Sequence, residues 1–255
     1  PRQPASHIRE PVSRPWPSKA FEAQGNMVGV AYLSLLVLAY GVSASFFAHD
    51  LANRLVSSLN AILVASLAVA SLAGAGVDDS PPLVGLPAVG VECMCAFLIF
   101  DLCLGMARGF ESGSKLMFAH HAMGLASEML TLSLGVGTYS TMVVHLAEFS
   151  TPLLHLSWFM LKQGRGHTRI FLLTGVTLVA AFALVRVLLP LALLACYMAR
   201  PSAEAHWQGF TAVYRFQLAI VAAFWILNCV WFAKLLRSAR RSAPTATLTR
   251  EARAQ

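Results

Sequence analysis

From Met27 onward the chain consists of long apolar runs separated by short polar breaks, and this alternation limits its fold more than any other feature. A helix rises 1.5 Å per residue, so about 20 apolar residues cross the roughly 30 Å hydrocarbon layer of a bilayer. Seven runs meet that length, at about 27–48, 55–76, 83–104, 116–136, 139–161, 170–199 and 212–235. The breaks hold the expected punctuation: His49-Asp50, Asp78-Asp79-Ser80-Pro81-Pro82, Arg108 to Lys115, Gly135-Val136-Gly137, Gly164-Arg165-Gly166 and Arg200-Pro201. Composition agrees. The 255 residues are 57% hydrophobic and 12% charged, about half the charge of a soluble domain. The fold class expected is an all-α integral membrane protein with about seven transmembrane helices.

The net charge of +7 raises the question of nucleic acid. The 19 Lys and Arg lie in the N-terminal stretch, the loops and the C-terminal tail rather than on one basic face. That distribution flanks spans, and no nucleic-acid partner is expected. Loop charge also orients the chain. With the C-terminus cytoplasmic, that side holds Arg54, Arg108, Lys115, Lys162, Arg165, Arg169, Lys234, Arg237, Arg240, Arg241, Arg250 and Arg253, while the other holds Arg2, Arg9, Arg14, Lys19, Arg200 and Arg215.

Residues 1–26 read as a disordered, Pro-rich basic arm, 27–48 as a first transmembrane helix, 49–236 as the main membrane domain and 237–255 as a basic cytoplasmic tail. The chain starts at Pro1, so either it is a fragment or Met27 is its start. Val42-Ser43-Ala44 resembles a small-residue cleavage site, which leaves a removed signal peptide as an alternative for the first run. The five cysteines all fall inside apolar runs without zinc-site spacing and read as core-filling thiols.

Ionisable groups at membrane depth are costly, so each is a functional candidate. They are Glu92 and Asp101 in the third run, His120, His121 and Glu128 in the fourth, His145, Glu148 and His155 in the fifth, and Arg186 in the sixth. The fourth and fifth runs join through so short a turn that they must be antiparallel neighbours. His121, Gly124 and Glu128 share one stripe; Thr141, His145, Glu148, Pro152 and His155 share another. Two polar stripes on adjacent helices predict a common cavity. There, Glu148 can orient one of the imidazoles of His120 and His121, the arrangement general-base chemistry needs. Arg186 should pair with Glu148, Asp101 or Glu92, or with an anionic group of a substrate, and Pro190 should free a carbonyl nearby. The competing reading makes these groups polar clamps between helices. Glu92 and Asp101, nine residues apart, face opposite ways. There is no Walker loop, nucleophile elbow or dinucleotide fingerprint, and no His-x-x-His or His-x-x-x-His pair, so no metal or resident cofactor is expected.

Five motifs, in order, resemble one family. Asp101, the His120-His121 pair, Ala147-Glu148-Phe149-Ser150-Thr151-Pro152 with Trp158, Phe182 to Arg186 with Pro190, and Leu227-Asn228 with Trp231 and Lys234 are similar to positions of the TLC domain, from about Asp101 to Lys234. That domain is shared by ceramide synthases, translocating-chain-associated membrane proteins and the small TLC-domain-containing proteins, and the last are the nearest match. The resemblance implies six helices forming a barrel open within the bilayer, one extra N-terminal helix, a cytoplasmic C-terminus and residence in the endoplasmic reticulum or another internal membrane. In ceramide synthases the histidine pair, with aspartates on the next span, carries acyl transfer from acyl-CoA. His120 and His121 match that pair, and Glu148 lies near the first aspartate's place. The second aspartate and the Leu-Glu-x-x-Lys ending are absent; Leu153, Leu154 and His155 stand there.

The expected function is therefore a TLC-domain membrane protein that binds or modifies lipids and influences membrane lipid composition. The alternatives are an acyl-CoA-dependent lipid acyltransferase and a non-catalytic lipid or cargo receptor. His120, His121 and Glu148 are the expected catalytic residues; Arg186, Asp101, His155 and His145 are expected to bind substrate. Acyl-CoA is the one co-substrate implied, and membrane lipid is the expected partner.

Overall fold

The protein is described by a computed structural model that covers residues 19–74, 83–108, 114–135, 137–199 and 211–251. All secondary structure among them is helical. In chain order the helices are α1 (Lys19–Phe46), α2 (His49–Gly74), α3 (Leu86–Arg108), α4 (Ser114–Leu134), α5 (Thr138–His145), α6 (Thr151–Lys162), α7 (Arg169–Phe182), α8 (Leu189–Met198) and α9 (Thr211–Glu251). A 3₁₀ stretch, Leu146–Ser150, joins α5 to α6, and a π-helical stretch, Ala183–Leu188, joins α7 to α8. Among the described residues the helices form seven rods. Their bounds depart from the expected runs: α1 begins at Lys19 rather than Met27, α2 at His49 rather than near Leu55, and α9 runs on through the basic tail to Glu251. Residues 1–18 of the expected arm and the 75–82 loop lie outside the described residues.

Five stretches are long and apolar enough to cross a membrane: Met27–Phe46, His49–Gly74, Leu86–Arg108, Arg169–Cys196 and Arg215–Arg240. The two rods that fall short are those with the densest polar side chains. Helix α4 has 21 residues but carries Lys115, His120, His121 and Glu128. The α5–α6 rod is divided by its 3₁₀ stretch into pieces of 8, 5 and 12 residues. A helix that faces a polar interior forfeits the apolarity that marks a lipid-facing span.

Helix α3 is the most enclosed, with thirteen buried residues on nearly every face. Val56 and Val64 of α2, Leu36 of α1 and Cys93, Met94, Phe97, Leu98 and Phe100 of α3 make the largest apolar cluster. The first helix is fixed to it by polar contacts as well. Tyr32 donates its hydroxyl to Asn60 Oδ1 at 3.1 Å, and Tyr40 meets Phe100 edge-on. Elsewhere the surface is apolar, for instance at Leu38, Leu59, Ile62, Ile170, Leu173, Val176, Leu188 and Ile226. An outer surface of that kind is stable against acyl chains, and the chain is an integral membrane protein.

Small residues set the close approaches. Gly124 stands where a Cβ would press on Leu98 of α3 at 3.3 Å. Gly137 has φ of 76°, and a Cβ there would overlap the Gln217 side chain of α9. The tight turn between α4 and α5 therefore depends on glycine for both backbone conformation and space.

Candidate functional site

A cavity of about 750 Å³ runs between α2, α3, α4, the α5–α6 rod, the π stretch and α9. Asp101, His120, His121, His145, Glu148, His155 and Arg186 all line it. Every residue singled out for the site is thus on one chamber, with Glu128, Thr141 and Asn228 beside them. Glu92 is not on it; it lies buried on the opposite side of α3, beside Gly29 of α1, as the nine-residue offset from Asp101 requires.

The partners inside the chamber differ from those expected. His121 Nδ1 lies 2.7 Å from Asp101 Oδ2, and Asn53 Nδ2 donates to Asp101 Oδ1 at 3.2 Å. The carboxylate that orients the imidazole is therefore Asp101 and not Glu148. Glu148 is drawn to Arg186, whose Nη2 lies 3.5 Å from its Oε1, and it accepts the Thr151 hydroxyl at 2.8 Å. The reason is local. A buried guanidinium needs acceptors, and the fifth rod supplies three in sequence. Arg186 Nε donates to Ser150 Oγ at 2.7 Å, Nη2 to Thr151 Oγ1 at 2.7 Å, and Nη1 to Asn228 Oδ1 at 3.4 Å. Glu148, Ser150 and Thr151 of the Glu-Phe-Ser-Thr-Pro stretch form, together with Asn228, a receptor for Arg186. Its ring neighbour is Phe182, 5.2 Å from the guanidinium carbon.

Helix irregularity puts these groups in place. Proline lacks an N–H and crowds the carbonyl four residues earlier. Pro152 follows the 3₁₀ stretch and Pro190 the π stretch. Three residues before Pro190, Val187 O accepts the Trp225 indole N–H at 3.1 Å.

The remaining histidines have separate settings. His120 lies edge-on between Phe224 and Trp231, with ring centroids 4.8 and 5.1 Å away, and its Nδ1 is buried without a hydrogen-bond partner. His155 Nδ1 is 2.9 Å from Ser58 Oγ of α2. His145 is fully enclosed, and its Nε2 is 2.9 Å from Glu128 Oε1. Sequence reasoning placed Glu128 on the right stripe without giving it this partner, and it missed Asn53, Ser58 and Gln217. The signal for those three lies in contacts between segments 48 to 97 residues apart.

In chemical terms, His121 held at Nδ1 by a carboxylate presents Nε2 as a proton acceptor toward the chamber. Arg186 can meet an anionic or carbonyl oxygen. Among the described residues no three His, Cys, Asp or Glu side chains come together as a metal site.

Comparison with known proteins is consistent across most of the length. A sequence model described as the TLC domain matches residues 11–237, which takes in α1 as well as the later helices. TLC domain-containing protein 4-B of Danio rerio is 27% identical over 202 residues, covering 74% of this chain and 73% of the relative. The Xenopus laevis protein of the same name is 27% identical over 199 residues, covering 72% of each.

Proposed function

Since the chain belongs to the TLC-domain family, we propose that it binds a membrane lipid in its chamber and acts on it or controls its distribution. The observation that carries this reading is the mixed lining of the cavity. Met94, Phe97 and Leu98 of α3, with Val221 and Phe224 of α9, offer an acyl chain apolar contact. On the same chamber stand His121 with Asp101 and Arg186 with Glu148, groups suited to a polar head. A ligand that is apolar at one end and polar at the other satisfies both kinds of lining.

An acyl transfer from acyl-CoA is the reaction these groups suit. His121 serves as base and Asp101 holds its ring, while His120 lies alongside with a ring-centroid separation of 5.5 Å. Arg186 meets the headgroup or carbonyl oxygen. His155 and His145 add further polar groups to the lining. The setting is an internal membrane such as the endoplasmic reticulum, with the C-terminus cytoplasmic, in keeping with the distribution of loop Lys and Arg. A non-catalytic lipid receptor is the second reading. It is favoured by the full internal engagement of Arg186, which holds three polar acceptors and one carboxylate of its own chain.

Native mass spectrometry of the detergent-extracted protein, followed by incubation with labelled acyl-CoA, separates these. Retained lipid with label transfer that His120→Ala, His121→Ala or Asp101→Asn removes supports the enzyme. Retained lipid without transfer supports the receptor. A folded protein that retains no lipid overturns both.

A further inference from the structure

The end of the chamber nearest the Gly135–Gly137 turn holds a second polar cluster that neither the His121–Asp101 nor the Arg186–Glu148 pair uses. Glu128 and His145 are 5% and 1% exposed and share one hydrogen bond, through His145 Nε2 and Glu128 Oε1. A turn further along, Gln217 Nε2 donates to Thr131 Oγ1 at 3.1 Å, and the Thr131 and Thr141 hydroxyls lie 3.0 Å apart. Glu128, Thr141, His145 and Gln217 all face the cavity.

Proton accounting shows what this cluster lacks. Each hydroxyl has one proton to give. Thr131 Oγ1 accepts from Gln217 and can pass its own proton to Thr141 Oγ1. Thr141 is then left with a proton and no recipient. On the facing helix, Glu128 Oε2 is buried with no hydrogen-bond partner. A cavity-lining carboxylate oxygen without a donor is costly wherever water is scarce, and it marks a place where a ligand group completes the set. Thr141 and His145 are one turn apart on α5, and Glu128 and Thr131 one turn apart on α4. With Thr131 touching Thr141 and Glu128 touching His145, the spare donor and the spare acceptor lie on adjacent helices, about one turn apart along the α4–α5 seam.

The geometry points to an alcohol subsite: Thr141 donates to, and Glu128 Oε2 accepts from, the hydroxyl of an uncharged lipid headgroup. This rests on the lipid reading above and narrows it. A phosphodiester would be repelled by Glu128 and has no proton to give it. An ammonium has no lone pair for Thr141. A hydroxyl does both tasks with one atom. Leu98, Val221 and Phe224 of the same lining are available to its hydrocarbon.

The test compares alcohol with methyl ether. The detergent-purified full chain is loaded with dioleoylglycerol or its 3-O-methyl ether, and in a second arm with cholesterol or its methyl ether. Retention of each is read by native mass spectrometry. The wild type is expected to hold one of the two alcohols roughly tenfold better than its ether, the effect of about 1.4 kcal/mol of lost hydrogen bonding. The arm that shows the preference identifies the source of the hydroxyl. Glu128→Leu, which removes the acceptor, should bring that ratio to near one. Thr141→Val, which removes a donor to the oxygen that alcohol and ether share, should lower the retention of both several-fold and leave the ratio as it was, and Thr141→Ser should restore retention; it is the independent second variant should Glu128→Leu not fold. A ratio near one in the wild type, meaning water alone fills the gap, overturns the inference, as does a ratio that survives Glu128→Leu or retention unchanged in Thr141→Val. Loss of both alcohol and ether from folded wild type instead overturns the lipid reading itself.

Discussion

Glu148 and Arg186, whose side chains meet at 3.5 Å inside the chamber, each sit four residues before a proline, Pro152 and Pro190 respectively. Both helices depart from α geometry there, one tightening to a 3₁₀ stretch and the other widening to a π stretch. Proline removes the N–H that would have bonded the carbonyl of Glu148 or of Arg186. The two weak points of the helix ladder thus coincide, and the polar side chains that bridge them stabilise both. Single-turn π segments of this kind recur at functional sites.

The first prediction concerns this pair. Arg186→Met leaves Glu148 facing a low-dielectric interior without its cation, and it is expected to destabilise the folded protein by about 3 kcal/mol. The double variant Arg186→Met/Glu148→Met should recover most of that loss, because no charge is left unpaired. Thermal unfolding in detergent of the two single variants, the double variant and the wild type checks this. Additive losses would mean that the two side chains do not interact.

Pro190→Ala restores an N–H that can bond the Arg186 carbonyl and favours an ordinary α-helix through 183–188. Removing the π stretch changes the register of Arg186 relative to Ser150, Thr151 and Asn228. Lipid retention should fall as far as it does in Arg186→Met, with thermal stability held or raised. Equal lipid retention in Pro190→Ala and wild type would show that the π stretch does not set the site.

His121 and Asp101 act as a unit in the proposed chemistry. In the labelled acyl-CoA assay, Asp101→Asn is therefore expected to lower kcat by about 100-fold or more, close to the loss in His121→Ala. Glu148→Gln, which loosens the hold on Arg186, should raise KM more than it lowers kcat. A larger kcat loss in Glu148→Gln than in Asp101→Asn would return the orienting role to Glu148.

Gly137→Ala carries two penalties, a positive φ and an overlap with the Gln217 side chain. It should cost at least about 2 kcal/mol, because neither the backbone nor the packed amide can give way cheaply. Gly41 of α1 has nothing within 4 Å of its would-be Cβ, so Gly41→Ala should change stability by no more than about 1 kcal/mol. Chemical denaturation of the two variants side by side gives the comparison.

The sequence by itself determined the solvent, the helical class and the helices on which the polar groups lie. These follow from run length and from the 3.6-residue period, both of which are local properties. Periodicity also placed His121, Glu128, His145, Glu148 and His155 on faces that share one chamber, since a turn as short as Gly135–Gly137 leaves α4 and the α5–α6 rod no choice but to lie side by side. Only the tertiary structure decided which imidazole meets which carboxylate. Asp101 on α3 outcompeted Glu148 for His121, because Arg186, brought in from a rod that starts beyond the next loop, claimed Glu148 together with Ser150 and Thr151. Such pairings depend on the rotation of each rod about its axis and on its depth against its neighbours. A period fixes which residues share a face, but the packing of the whole bundle fixes what that face meets.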